Sequence, residues 1–151
     1  MYDVKKDGRD ERAALLAVKA NLNNGWVRFA RRWVIVADDV HGNGRCTVLF
    51  DLTMDRHHLI VHPAAVDTYS VALDHGAVAA LATAAEEGEE CRVPVVHHLH
   101  GPRELRLAPS VRNALVLSEK LPGGVIVQAV FRGERILELV DTLAEARDSV
   151  R

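Results

Sequence analysis

From residue 26 onward the apolar side chains recur at a spacing of two, and turn-forming residues cut that alternation into short pieces. A spacing of two collects apolar residues on one face of a strand, whereas a helix needs three and four. Within residues 26–37, Val27, Phe29, Trp33 and Ile35 fall on one face, interrupted by Arg31, while Arg28 and Arg32 fall on the other. Asp38-Asp39 and His41-Gly42-Asn43-Gly44 then supply turn chemistry. Cys46, Val48, Phe50 and Leu52 alternate with Thr47, Leu49 and Asp51 as a second strand, and residues 57–62 make a short third one. Three consecutive strands joined by turns predict an antiparallel meander.

Helical spacing surrounds this block. Leu15, Val18 and Leu22, with Ala14 beside them, predict a helix over 10–23, capped by Asp10 and stopped by Asn23-Asn24-Gly25. Pro63 suits a first helical position, so 64–73 reads as a short helix, and Asp74 caps another over 77–85 that Gly88 ends. Residues 91–100 return to strand, where Pro94 argues for a sheet edge. Residues 103–107 and 125–131 also read as strands, while 110–119 fits either a helix or a strand. After Gly133, Ile136, Val140 and Leu143 predict a C-terminal helix, with a strand through Leu139 followed by a shorter helix as the alternative. The expected fold is therefore α+β with a mainly antiparallel sheet: an N-terminal helix, a three-strand meander, a central helical segment, further strands and a C-terminal helix. It forms a single domain over 1–151, with 1–8 as a flexible arm.

At 151 residues the chain is long enough for one hydrophobic core. A hydrophobic content of 48% excludes disorder as a whole-chain state, and a formal net charge of −2 gives no bulk case for a polyanionic partner. No apolar run approaches the roughly 18 residues that cross a bilayer. The charged N-terminus lacks the apolar stretch of a secretory signal. The expected location is cytoplasmic, away from membranes, with Cys46 and Cys91 as unbridged small hydrophobes.

The eight histidines include two clusters, His57-His58-x3-His62 and His97-His98-x-His100. Imidazole ligates zinc and other divalent transition metals. On a regular strand His98 and His100 share a face, roughly 7 Å apart, while His58 and His62 lie about 13 Å apart. One of the latter pair could complete a three-histidine site only if the two strands are neighbours. The simpler reading makes these faces half-solvated sheet surface, with His57 and His97 as hydrogen-bonded inward or rim residues. Arg28, Arg31 and Arg32 interleave with aromatics, as nucleic-acid surfaces do. The phase of the strand, however, turns Trp33 and Phe29 away from Arg28 and Arg32.

No Gly-x-Ser-x-Gly elbow and no Cys beside a His is present. On the residues alone, enzyme and binder both remain open. The favoured expectation is a non-enzymatic protein-interaction, chaperone-like or regulatory module without a cofactor. Its partner is another protein or a second copy in a homodimer, with residues 91–100 and 125–131 as candidate pairing edges. The alternatives are a zinc-dependent or similar hydrolase using His98 and His100 with His58 or His62, and nucleic-acid binding through Arg28, Arg31 and Arg32.

Overall fold

The computed structural model describes residues 29–38, 44–63, 70–97, 99–120, 123 and 126–151. Their strands are β1 (Arg31–Asp38), β2 (Arg45–Leu52), β3 (Leu59–Pro63), β4 (Val71–Leu73), β5 (Cys91–His97), β6 (Gly101–Ser110), β7 (Ala114–Lys120) and β8 (Ile126–Arg132). Two helices accompany them, α1 (His75–Glu87) between β4 and β5, and α2 (Glu134–Ser149) after β8. Each strand pairs antiparallel with the next in sequence, and β8 returns to β1, so the sheet is a closed barrel of eight strands.

This overturns the α+β expectation. The decisive contact joins the first strand to the last, and no local pattern records it. Three lesser corrections follow from the same cause. Residues 71–73, expected to be helical, form β4, where Val71 and Leu73 face the core and Ala72 faces outward in a strand too short to show alternation. Residues 114–120, left between helix and strand, form β7. The strands expected to offer pairing edges at 91–100 and 125–131 lie inside the ring rather than at its end, although β5 is paired to β4 at two positions and β8 to β1 at one among the described residues. Pro94 is nonetheless accommodated, because β4 pairs with β5 only at Val71–His97 and Ala72–Val96 and has ended before Pro94 is reached. The predicted N-terminal helix and arm lie outside the described residues.

The interior is filled by period-two residues from every strand. Trp33, Ile35 and Ala37 from β1 meet Val48, Phe50 and Leu52 from β2, and Val93, Val95, Leu105, Leu107, Leu115, Leu117 and Phe131 complete the far wall. Burying each such aliphatic or aromatic side chain contributes about 1.5–3 kcal/mol. The outer wall carries charge instead: Arg92, Glu104, Arg106 and Glu90 form a chain of exposed ion pairs across β5 and β6. Among the described residues no helix is long and apolar enough to cross a membrane.

Strict up-and-down order puts α1, α2 and the β2–β3 and β6–β7 turns at one end of the barrel. There the helices pack on each other and close the core. Asp74 caps α1 as expected, accepting a hydrogen bond from Ala77 N–H at 3.0 Å. Gly88 ends it at φ +68°, the left-handed conformation that glycine adopts without a Cβ clash. Buried Ala77, Ala82, Ala84 and Ala85 give α1 the small face that lets it pack closely. α2 is one continuous helix, buried along Leu139, Thr142, Leu143 and Ala146. Its far end is pinned where Arg151 N–H donates to the Arg56 carbonyl in the β2–β3 turn at 2.7 Å.

Candidate functional site

Antiparallel pairing joins β1 to β2 from Arg31 opposite Leu52 to Asp38 opposite Arg45, with no gap. Its other edge is different. Among the described residues β1 meets β8 at one position, Asp38 opposite Val130. In that register the β1 residues before Val36 would face residues beyond Arg132. There the chain turns at Gly133, held at φ +56°, and becomes α2. A helix offers no backbone groups to a strand, so the barrel splits below Asp38 and α2 diverges from the gap. The opening is an open groove of about 420 Å³, lined by Trp33 to Val36 on the strand and by Arg135, Glu138, Asp141, Thr142 and Glu145 on the helix.

The strand's alternation distributes polar side chains to its two faces. On the face toward α2, Arg31 and Trp33 both reach Glu145: the Arg31 guanidinium and the Trp33 indole N–H each donate to Glu145 Oε2 at 2.7 Å. Arg31 also stacks on the Trp33 ring, 4.6 Å from its centre. The interruption that Arg31 makes in the apolar face is thus explained by a partner 114 residues away. Along α2, Arg135 donates to Glu138 at 2.8 Å. Asp141 makes no hydrogen bond or ion pair with any described residue.

On the outer face, Arg32 grips Asp51 with two donors, Nε to Oδ1 at 2.6 Å and a terminal nitrogen to Oδ2 at 2.9 Å. His62 Nε2 shares Oδ2 at 3.0 Å. Burial alone pushes the Asp51 carboxyl up, but the His62 and Arg32 hydrogen bonds and positive charge outweigh it and hold the group below its ordinary range. The same hydrogen bond raises the Arg32 guanidinium above its usual value. Arg32 lies over the Phe29 ring at 5.2 Å, so Phe29 is not turned away from it as the strand phase predicted. Asp51 went unrecognised in the sequence. Its one signal was a carboxylate in mid-strand, where Asp is disfavoured.

Of the three arginines proposed for nucleic acid, Arg31 and Arg32 face opposite sides of the wall, each engaged by a carboxylate. Arg28 lies outside the described residues.

The described histidine candidates, His58, His62 and His100, are dispersed. β5 is described over Cys91–His97, and the strand expected to run through His100 does not reach that residue. His100 is exposed in the β5–β6 turn, its ring stacked on that of His97 at 4.8 Å, and His98 lies outside the described residues. His97 is buried as predicted and structural: its Nδ1 accepts from Leu99 N–H at 3.1 Å and His100 N–H at 3.3 Å. His57 is exposed, contrary to the inward or rim expectation. His58 and His62 stand at opposite ends of β3, with β4 between β3 and β5. Among the described residues no three His, Cys, Asp or Glu side chains converge as a metal site would require.

Compared with protein-family models, with curated proteins and with solved structures, the chain matches none of them.

Proposed function

We propose that this chain is a non-enzymatic protein-interaction module of a chaperone-like kind, which accepts an extended segment of a partner polypeptide along the open edge of β1. The observation that carries this reading is the split seam. An unpaired strand edge offers a row of backbone donors and acceptors to which an extended peptide can add as a further strand. α2 lines the opening without filling it. Trp33 to Val36 provide about 13 Å of edge at 3.3 Å per residue, enough for about four peptide residues.

The polar clusters support a binder rather than a catalyst. The bidentate Arg32–Asp51 pair, the His97 turn cap and the Arg31–Glu145 pair each have a structural task. A cytoplasmic location belongs to the same reading.

Amide hydrogen exchange on the full chain tests the proposal. Extended peptides selected by display from a random library are expected to slow exchange within residues 33–36 while leaving β6 unchanged. Selected peptides that protect other surfaces and leave β1 unprotected would refute it.

A further inference from the structure

We propose that the segment accepted at the seam is amphipathic, with basic side chains toward α2 and apolar side chains on the outside. This rests on the strand-accepting reading above and gives the partner its chemistry.

The first argument concerns what can reach the edge. Among the described residues the longest unpaired strand side is that of β1, where only Asp38 is paired toward β8, with shorter unpaired lengths on β8 and on β5 beside β4. In each copy the β1 edge is flanked by α2 across the groove. An extended segment free of a barrel brings no such helix to the joint, and it is the occupant proposed here.

The second argument concerns side-chain alternation. Residues added beside β1 point alternately to its two faces. Those on the face of Trp33 and Ile35 meet the helix side of the groove, where Glu138, Asp141 and Glu145 supply three carboxylates against two described cations, Arg135 in the groove and Arg31 beside it. Glu138 is engaged by Arg135, and Glu145 by Arg31 and Trp33. Asp141 stands between them with no described partner, so one carboxylate is left to receive a Lys or Arg from the incoming strand. Residues on the other face lie beside Val34, which is 54% exposed, and Val36. An apolar side chain there covers Val34, whereas an acidic residue on the helix side would face like charges.

The test uses the full-length protein and fluorescein-labelled peptides of about eight residues, an ordinary strand length. One alternates Val with Lys, one alternates Val with Glu, and a third is the Val–Lys peptide with every second amide N-methylated. Anisotropy titrations are expected to show Val–Lys binding at least about tenfold tighter than Val–Glu. That preference should shrink in roughly 0.5 M salt. Asp141→Lys should weaken Val–Lys binding about tenfold, with an unchanged urea midpoint showing that the barrel is intact. N-methylation should abolish binding.

Equal affinities for the Val–Lys and Val–Glu peptides, both lost on N-methylation, would overturn the basic preference and leave strand addition standing. Val–Lys binding that survives N-methylation, or no binding by either peptide, would overturn both.

Discussion

Arg31 and Arg32 are neighbours on one strand, and each stacks on an aromatic ring and reaches a carboxylate. The carboxylates differ. Asp51 is 0% exposed and shared with His62, while the Glu145 side chain is 51% exposed at the mouth of a groove. A buried carboxylate must keep its partners, because the alternative is an unpaired charge in a poor solvent. An exposed one has water to fall back on. The outer-wall cluster is therefore part of what holds β1, β2 and β3 in register. The seam cluster is cheap to rearrange, as a site that admits a partner must be.

That contrast can be broken by substitution. Arg32→Ala should destabilise the protein by about 2–3 kcal/mol, because Asp51 is left buried with His62 alone. Arg32 is itself half exposed, which keeps the loss at the lower end. Urea denaturation measures it, and a loss no larger than that of Arg31→Ala would erase the distinction.

Acid should act on the same side of the comparison. The folded-state Asp51 carboxyl lies below its ordinary range, so its contribution is complete above the unfolded value of about 4. It is lost as the pH falls from there through the lower folded value. Asp51→Asn should flatten the decline in stability below about pH 4, as followed by urea midpoints across that range; an unchanged slope would remove Asp51 from the acid response.

At the seam the effects should be smaller. Trp33→Phe, which removes the indole donor to Glu145, should cost about 1 kcal/mol. Arg31→Ala should cost less than about 1 kcal/mol. Asp141→Ala should change stability by no more than about 0.5 kcal/mol, within the usual range for a surface position. A large thermal shift from Asp141→Ala would mean that the groove wall is structural and would undo the contrast from the other direction.

What could be read in the sequence follows the range of the interactions. The Asp74 cap, the Gly88 stop, the β1–β3 meander and the C-terminal helix are encoded within a few residues each, and the chain spells them out. Closure is not. It depends on Asp38 meeting Val130, and the expectation of an open sheet with segregated helices had no means of registering that pair. β4 was misread because three residues do not display a period, and Pro63 pointed toward a helix. The histidines misled by number: His97 proved to be a turn cap, and β4 separates the strands that would have had to cooperate. Arg31 was visible as an anomaly in an apolar face, but its explanation, Glu145, lay at the other end of the chain.

That Asp38–Val130 is the one β1–β8 pair among the described residues also has a mechanical meaning. A hoop under outward load passes the same tension through every joint, so the weakest joint alone sets the yield. Seven of the joints here are consecutive hairpins or, across α1, one short pairing, each backed by a covalent connection. The eighth joins the two ends of the ring and has no such backing. It is buckled by α2, hinged at Gly133 and fastened at its tip by the Arg151 amide on the Arg56 carbonyl. Strain entering the barrel is therefore felt most at the joint that no covalent connection backs.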